Sequence, residues 1–186
     1  MRVIAFTVLV MFAAAPAAFG QRRDDTFDVT KQLDSAQRAV WHAVEARWRA
    51  WRAGDLDTML GLYHRRFHAW NRVTGRLDGH DAMVGRWKSA LETERILAVK
   101  LEPTAVEVFG DFAAAYYVSR ETVQQLSAAT APADTSARNA GPTVVSIRWS
   151  DYLVREGGRW LFVGYGGVPC SQSEAAGSVC RSPEKK

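Results

Sequence analysis

Between residues 34 and 53, Val40, Trp41, Val44, Trp48 and Trp51 recur at spacings of three and four, which predicts a long amphipathic helix with Arg38, Glu45, Arg49 and Arg52 largely off its apolar stripe. Gly54 stops that helix, and Asp55 is placed to cap a second, short one carrying Leu56, Met59, Leu60 and Tyr63. The stretch Phe67-His68-Ala69-Trp70-Asn71 reads as a strand running into a Thr74-Gly75 turn. A third helix is expected from about Gly79-His80-Asp81 to Glu94, with Met83, Val84, Trp87 and Leu91 on one face. After Ile96 the period changes to two. Strands are expected over residues 99–109, 111–125, 143–155 and 160–165, with turns at Gly110-Asp111 and Gly157-Gly158. Such long paired strands predict a curved antiparallel sheet, so the fold class is α+β. Residues 127–142, rich in Ala, Thr, Ser, Pro and Gly, read as a mobile loop inside the domain.

The first residues add a compartment. Met1-Arg2 precedes an apolar run over residues 3–15, shorter than a bilayer span, and small residues Ala18 and Gly20 precede the polar Gln21-Arg22-Arg23. That pattern predicts a secretory signal peptide over residues 1–20 and a periplasmic or secreted protein, with no stable membrane insertion after cleavage. Residues 21–33 are then expected to be a flexible segment, residues 34–168 the domain, and residues 169–186 a tail. In an oxidising compartment Cys170 and Cys180 are expected to form a structural disulfide within that tail.

The 186 residues carry a net charge of +4 and are 47% hydrophobic, which excludes a wholly disordered chain and sets no strong electrostatic footprint for nucleic acid. Several arginines, from Arg47 to Arg76, lie close in sequence, but no nucleic-acid motif accompanies them; a solvated face or a rim that attracts anions fits them better. No Gly-rich phosphate loop and no Gly-x-Ser-x-Gly elbow occurs, which disfavours nucleotide enzymes and common serine hydrolases. His64 and His68 have a zinc-pair spacing without the accompanying Glu, so neither a metal nor another cofactor is expected.

The element order, together with Trp48-Arg49-Ala50-Trp51-Arg52-Ala53-Gly54-Asp55-Leu56-Asp57, Gly75-Arg76-Leu77-Asp78-Gly79 and the Gly157-Gly158-Arg159-Trp160 hairpin, resembles the SnoaL-like and ketosteroid-isomerase-like members of the nuclear transport factor 2-like superfamily. The resemblance spans about residues 34–168 and implies a conical, cystatin-like α+β barrel whose sheet curls around the long helix and leaves a pocket at its open end. It also implies that the outer face of the sheet can pair two copies into a homodimer. In the isomerase branch it implies a carboxylate base after the second helix, a Tyr on the first helix and a protonated Asp on a late strand. Here the base position falls on Asn71 or Arg72, neither of which takes a proton from carbon, and the Tyr position falls near Arg47 or Trp48. Only Asp151 matches, within Trp149-Ser150-Asp151-Tyr152.

Alternation on the third long strand puts Val145, Ile147, Trp149, Asp151 and Leu153 on one face, so Asp151 is a carboxylate among apolar neighbours. It is expected to be a neutral donor or general acid, or else to pair with Arg47 or Arg120, or to sit at the open rim in water. His68 is the candidate acid or base pointing into the pocket, with Arg47 and Asp151 as oxyanion stabilisers. The candidate ligand wall is Trp48, Trp70, Asn71, Trp87, Tyr117 and Trp149. Seven tryptophans mostly fill a core around one helix, and a space left among them favours flat, apolar or cationic ligands. The functional expectation is a small-molecule binding domain. The alternatives are an isomerase, cyclase or dehydratase acting on a carbonyl compound, and a dimeric interaction module.

Overall fold

Asp34 starts the main helix of this computed structural model, which describes residues 29–71, 74–126 and 141–170. Its carboxylate accepts from the Gln37 backbone N–H at 2.8 Å and the Gln37 side chain accepts from the Asp34 N–H at 2.9 Å, a closed capping box that satisfies two otherwise orphaned donors. Helix α1 (Ser35–Ala53) ends at Gly54, whose left-handed φ of 70° a side chain would resist. Asp55 then caps α2 (Leu56–Leu60) by accepting from Thr58 N–H. Tyr63, expected on that helix, instead opens β1 (Tyr63–Trp70), because α2 closes at Gly61 after five residues. Just before α1, where only a flexible segment was expected, Val29–Gln32 form a 3-10 turn and Leu33 is buried in the core.

A hairpin leads from β1 to β2 (Leu77–Gly79), a three-residue strand too short to show a period in sequence. Helix α3 (His80–Thr93) follows, then β3 (Glu94–Phe109), β4 (Phe112–Gln125), β5 (Thr143–Glu156) and β6 (Arg159–Pro169). The sheet has six strands in the order β2-β1-β6-β5-β4-β3. It is not wholly antiparallel as expected, because β1 lies parallel to β6, with Tyr63 opposite Phe162 and Ala69 opposite Tyr165.

Helix α1 packs across β3, β4 and β6, and the core lies between it and the inner face of the sheet. Val40, Trp41, Val44 and Trp48 meet Phe67, Tyr117, Leu153 and Phe162, with Met83 and Trp87 closing one side from α3. Burying such a set supplies most of the drive to fold, at about 1.5–3 kcal/mol for each large apolar side chain. Gly164 keeps β6 close to β1, since a Cβ there would sit 3.1 Å from the His68 carbonyl oxygen. The expected signal segment, Arg72, the 127–140 part of the loop and Cys180 lie outside the described residues.

Candidate functional site

Helix α1 presents Arg47 to the sheet one turn before Trp51, and β4 and β5 bring Tyr117 and Asp151 up to meet it. Asp151 has no exposed surface and Arg47 is 5% exposed. Arg47 Nη1 donates to Asp151 Oδ1 at 3.1 Å, and Nη2 lies 3.1 Å from Oδ2. The Tyr117 hydroxyl donates to Asp151 Oδ2 at 2.8 Å while accepting from Arg47 Nη2 and, at 3.0 Å, from Trp48 Nε1. Asp151 is therefore an acceptor surrounded by donors, and of the alternatives left open by the sequence the Arg47 pair is the one observed. The guanidinium also lies 4.7 Å from the Phe162 ring centre and within 6 Å of Trp48, Trp149 and Tyr165.

Burial works against the Arg47 charge, but the Asp151 carboxylate and the surrounding tyrosines hold its proton more tightly than in water. Burial also pushes the Asp151 carboxyl above the ordinary range, against the pull of Arg47 and Tyr117. With a permanently protonated guanidinium touching both oxygens, the ionised carboxylate is the state that strands no charge. Burial likewise raises Tyr117 and Tyr165, so both phenols keep their protons at neutral pH.

In front of this cluster lies a cavity of about 250 Å³. Trp48 and Trp51 of α1, Trp87 of α3 and Trp149 of β5 form much of its wall, with Tyr63 and Tyr165 at the sheet side and Met59 below. Trp149 lies directly over Gly167, where a Cβ would come within 2.7 Å of its ring, and its Nε1 donates to Ser119 Oγ at 2.8 Å. Two arginines reach the wall, Arg47 and Arg86, and each is bonded to a carboxylate; Arg86 Nη1 donates to Asp78 Oδ2 at 2.8 Å.

The polar residue that sequence reasoning missed is Glu121. It lines the cavity from β4, is 6% exposed, and accepts a hydrogen bond from Ser119 Oγ. Burial raises its carboxyl above the ordinary value; Ser119 and Arg47 oppose that rise, and nearby Glu94 adds to it. Tyr117, Ser119 and Glu121 are two apart on one strand, which was the available signal.

Of the expected wall, Trp48, Trp87 and Trp149 line the cavity together with Arg47. Tyr117 and Asp151 stand behind it. His68 and Trp70 do not reach it, because Phe67 and Ala69 take the inner positions of β1 and leave their neighbours exposed; Trp70 is 65% exposed. His68 Nδ1 bonds the Arg66 carbonyl instead, and His64 pairs with Glu156 at 3.2 Å. Asn71 shapes the β1–β2 turn, donating to Asp78 Oδ2 and accepting from Thr74 N–H.

Residues 44–163, from the middle of α1 into β6, match the family model of the SnoaL-like domain. The chain belongs to that family. Among solved structures, this SnoaL-like domain is similar to a ketosteroid isomerase-like protein from Erwinia carotovora atroseptica, at 15% identity and a TM-score of 0.60 over 75% of this chain and 99% of the other. It is also similar to an NTF2-like protein from Cytophaga hutchinsonii (9% identity, TM-score 0.57, 74% and 99% covered). A Caulobacter vibrioides protein with a cystatin-like fold matches at 17% identity and a TM-score of 0.56, covering 78% and 96%. Identities this low establish the conical NTF2-like fold alone. No curated protein matches the chain.

Proposed function

We propose that this SnoaL-like domain is an exported binding protein whose cavity takes a small, flat molecule with an apolar or aromatic body. The observation that carries the reading is the cavity itself: about 250 Å³ left open among four tryptophans and two tyrosines that could have packed against one another. Aromatic walls with a few fixed polar groups are the usual composition of ligand sites, and this volume suits a body of one ring with a short chain.

Acid–base chemistry on a carbonyl compound has less behind it. His68 is turned away from the cavity, and the Tyr117 proton and both Asp151 oxygens are used within the Arg47 cluster. An oxyanion hole needs donors aimed at an empty position, and here those donors are spent on one another.

The test is a titration of tryptophan fluorescence with 2-phenylethanol. The expected result is a saturable, one-site change with a Kd on the order of a millimolar or tighter, as befits so small a ligand. A linear, non-saturating response to this and to other one-ring neutral compounds would overturn the reading.

A further inference from the structure

We propose that the cavity selects a small organic cation, an ammonium group carried on a compact apolar or aromatic body, with Glu121 and Glu94 as its counter-charges and the tryptophan faces as its walls. This rests on the reading of the cavity as a ligand site and names the chemistry that site prefers.

The charges around the cavity do not cancel. Arg47 is matched by Asp151 and Arg86 by Asp78, both in direct contact. Glu121 and Glu94 also line the cavity, and among the described residues neither has a cation within ion-pair distance. Two matched arginines and two unmatched carboxylates leave a negative interior in a domain whose whole chain is positive. A buried carboxylate without a counter-ion is costly unless something supplies one.

The groups also point the right way. Ser119 Oγ donates to the Glu121 carboxylate and the Trp149 indole N–H lies beside it, two neutral donors that leave its charge without a counter-ion. Glu121 is itself one of the residues that line the cavity, beside Glu94 and Trp149. Ala90, in the last turn of α3, lines the same space, and that turn carries no basic residue, so the negative end of the helix dipole adds to the field. Around these carboxylates stand Trp48, Trp51, Trp87 and Trp149. Indole faces attract ammonium groups more strongly than any other side-chain ring, and a carboxylate beside such faces is the known chemistry for holding alkylated or primary amines.

Three probes with one body separate charge from shape: phenethylamine, protonated at pH 7.5 as a lysine side chain is, the neutral 2-phenylethanol, and the anionic 3-phenylpropanoate. Calorimetric titration of the whole protein is expected to give the amine an affinity about tenfold above the alcohol, with no detectable binding of the acid. Glu121→Gln keeps the acceptor for Ser119 and is expected to narrow the amine-to-alcohol ratio to about threefold or less, with Glu94→Gln giving a smaller change. If the alcohol binds as tightly as the amine, the cation preference is wrong while the aromatic cavity stands. If none of the three saturates, both readings fall. An amine preference that survives the double substitution Glu94→Gln, Glu121→Gln would remove the two carboxylates as its source and overturn the assignment.

Discussion

At position 151 a carboxylate sits without solvent contact, and it accepts hydrogen bonds from Arg47 and Tyr117 with the second guanidinium nitrogen of Arg47 also in ion-pair contact. Such a pair is weak evidence for net stability, but removing one member leaves the other charge buried alone. Asp151→Asn is therefore expected to cost about 3–5 kcal/mol in urea unfolding, and the double variant Arg47→Met, Asp151→Leu to recover most of it. A single variant as stable as the parent would show that the pair is not ionised. The same substitution is a poor probe of catalysis, because any loss of activity would be mixed with loss of fold. Asp151 was legible in sequence because β5 alternates clearly between apolar and polar faces. Glu121 was not: Ala113-Ala114-Ala115-Tyr116-Tyr117 places similar residues on both faces of β4, so the run does not say which face is inside. Only the packing of α1 decides it, and with it the direction of Ser119 and Glu121.

Among the elements, α1 and α3 came through almost to the residue, since a stripe at spacing three and four with Asp34, Gly54 and Asp55 at the joints is a local signal. The long strands were also legible, although β3 begins at Glu94 directly after α3 rather than after Ile96. The β1–β6 pairing was not, because parallel neighbours so far apart in sequence leave no hairpin mark. That pairing matters for the site: it fixes which residues of β1 face inward, and so turns His68 and Trp70 out. The β5–β6 pair sets the other wall by seating Trp149 over Gly167. Gly167→Ala puts a methyl within 2.7 Å of that ring, which must then move into the cavity or out of it. The expected outcome is a loss of about 1–3 kcal/mol in stability and at least a tenfold loss of 2-phenylethanol affinity; unchanged binding would contradict the placement of Trp149.

At the scale of the whole molecule, the outer face of the sheet carries an apolar row. Phe112 and Tyr152 stack with ring centres 6.4 Å apart, and with Tyr116 they are each between 37% and 40% exposed. A homodimer through this face is the expected use of it, and sedimentation should give a dimer that Tyr152→Lys converts to monomer; a monomer at all concentrations would leave the row without that role. The cavity opens on the opposite, inner side of the sheet, so dimer formation and ligand binding are expected to be independent. The proposed binding function depends on the cavity being open space and not slack taken up by its own tryptophans. The most direct measurement is a crystal structure of the protein soaked with 2-phenylethanol. The expected result is a single ring seated among Trp48, Trp87 and Trp149 with those side chains unmoved. A structure in which a tryptophan ring fills the space, and no ligand enters, would contradict the binding function.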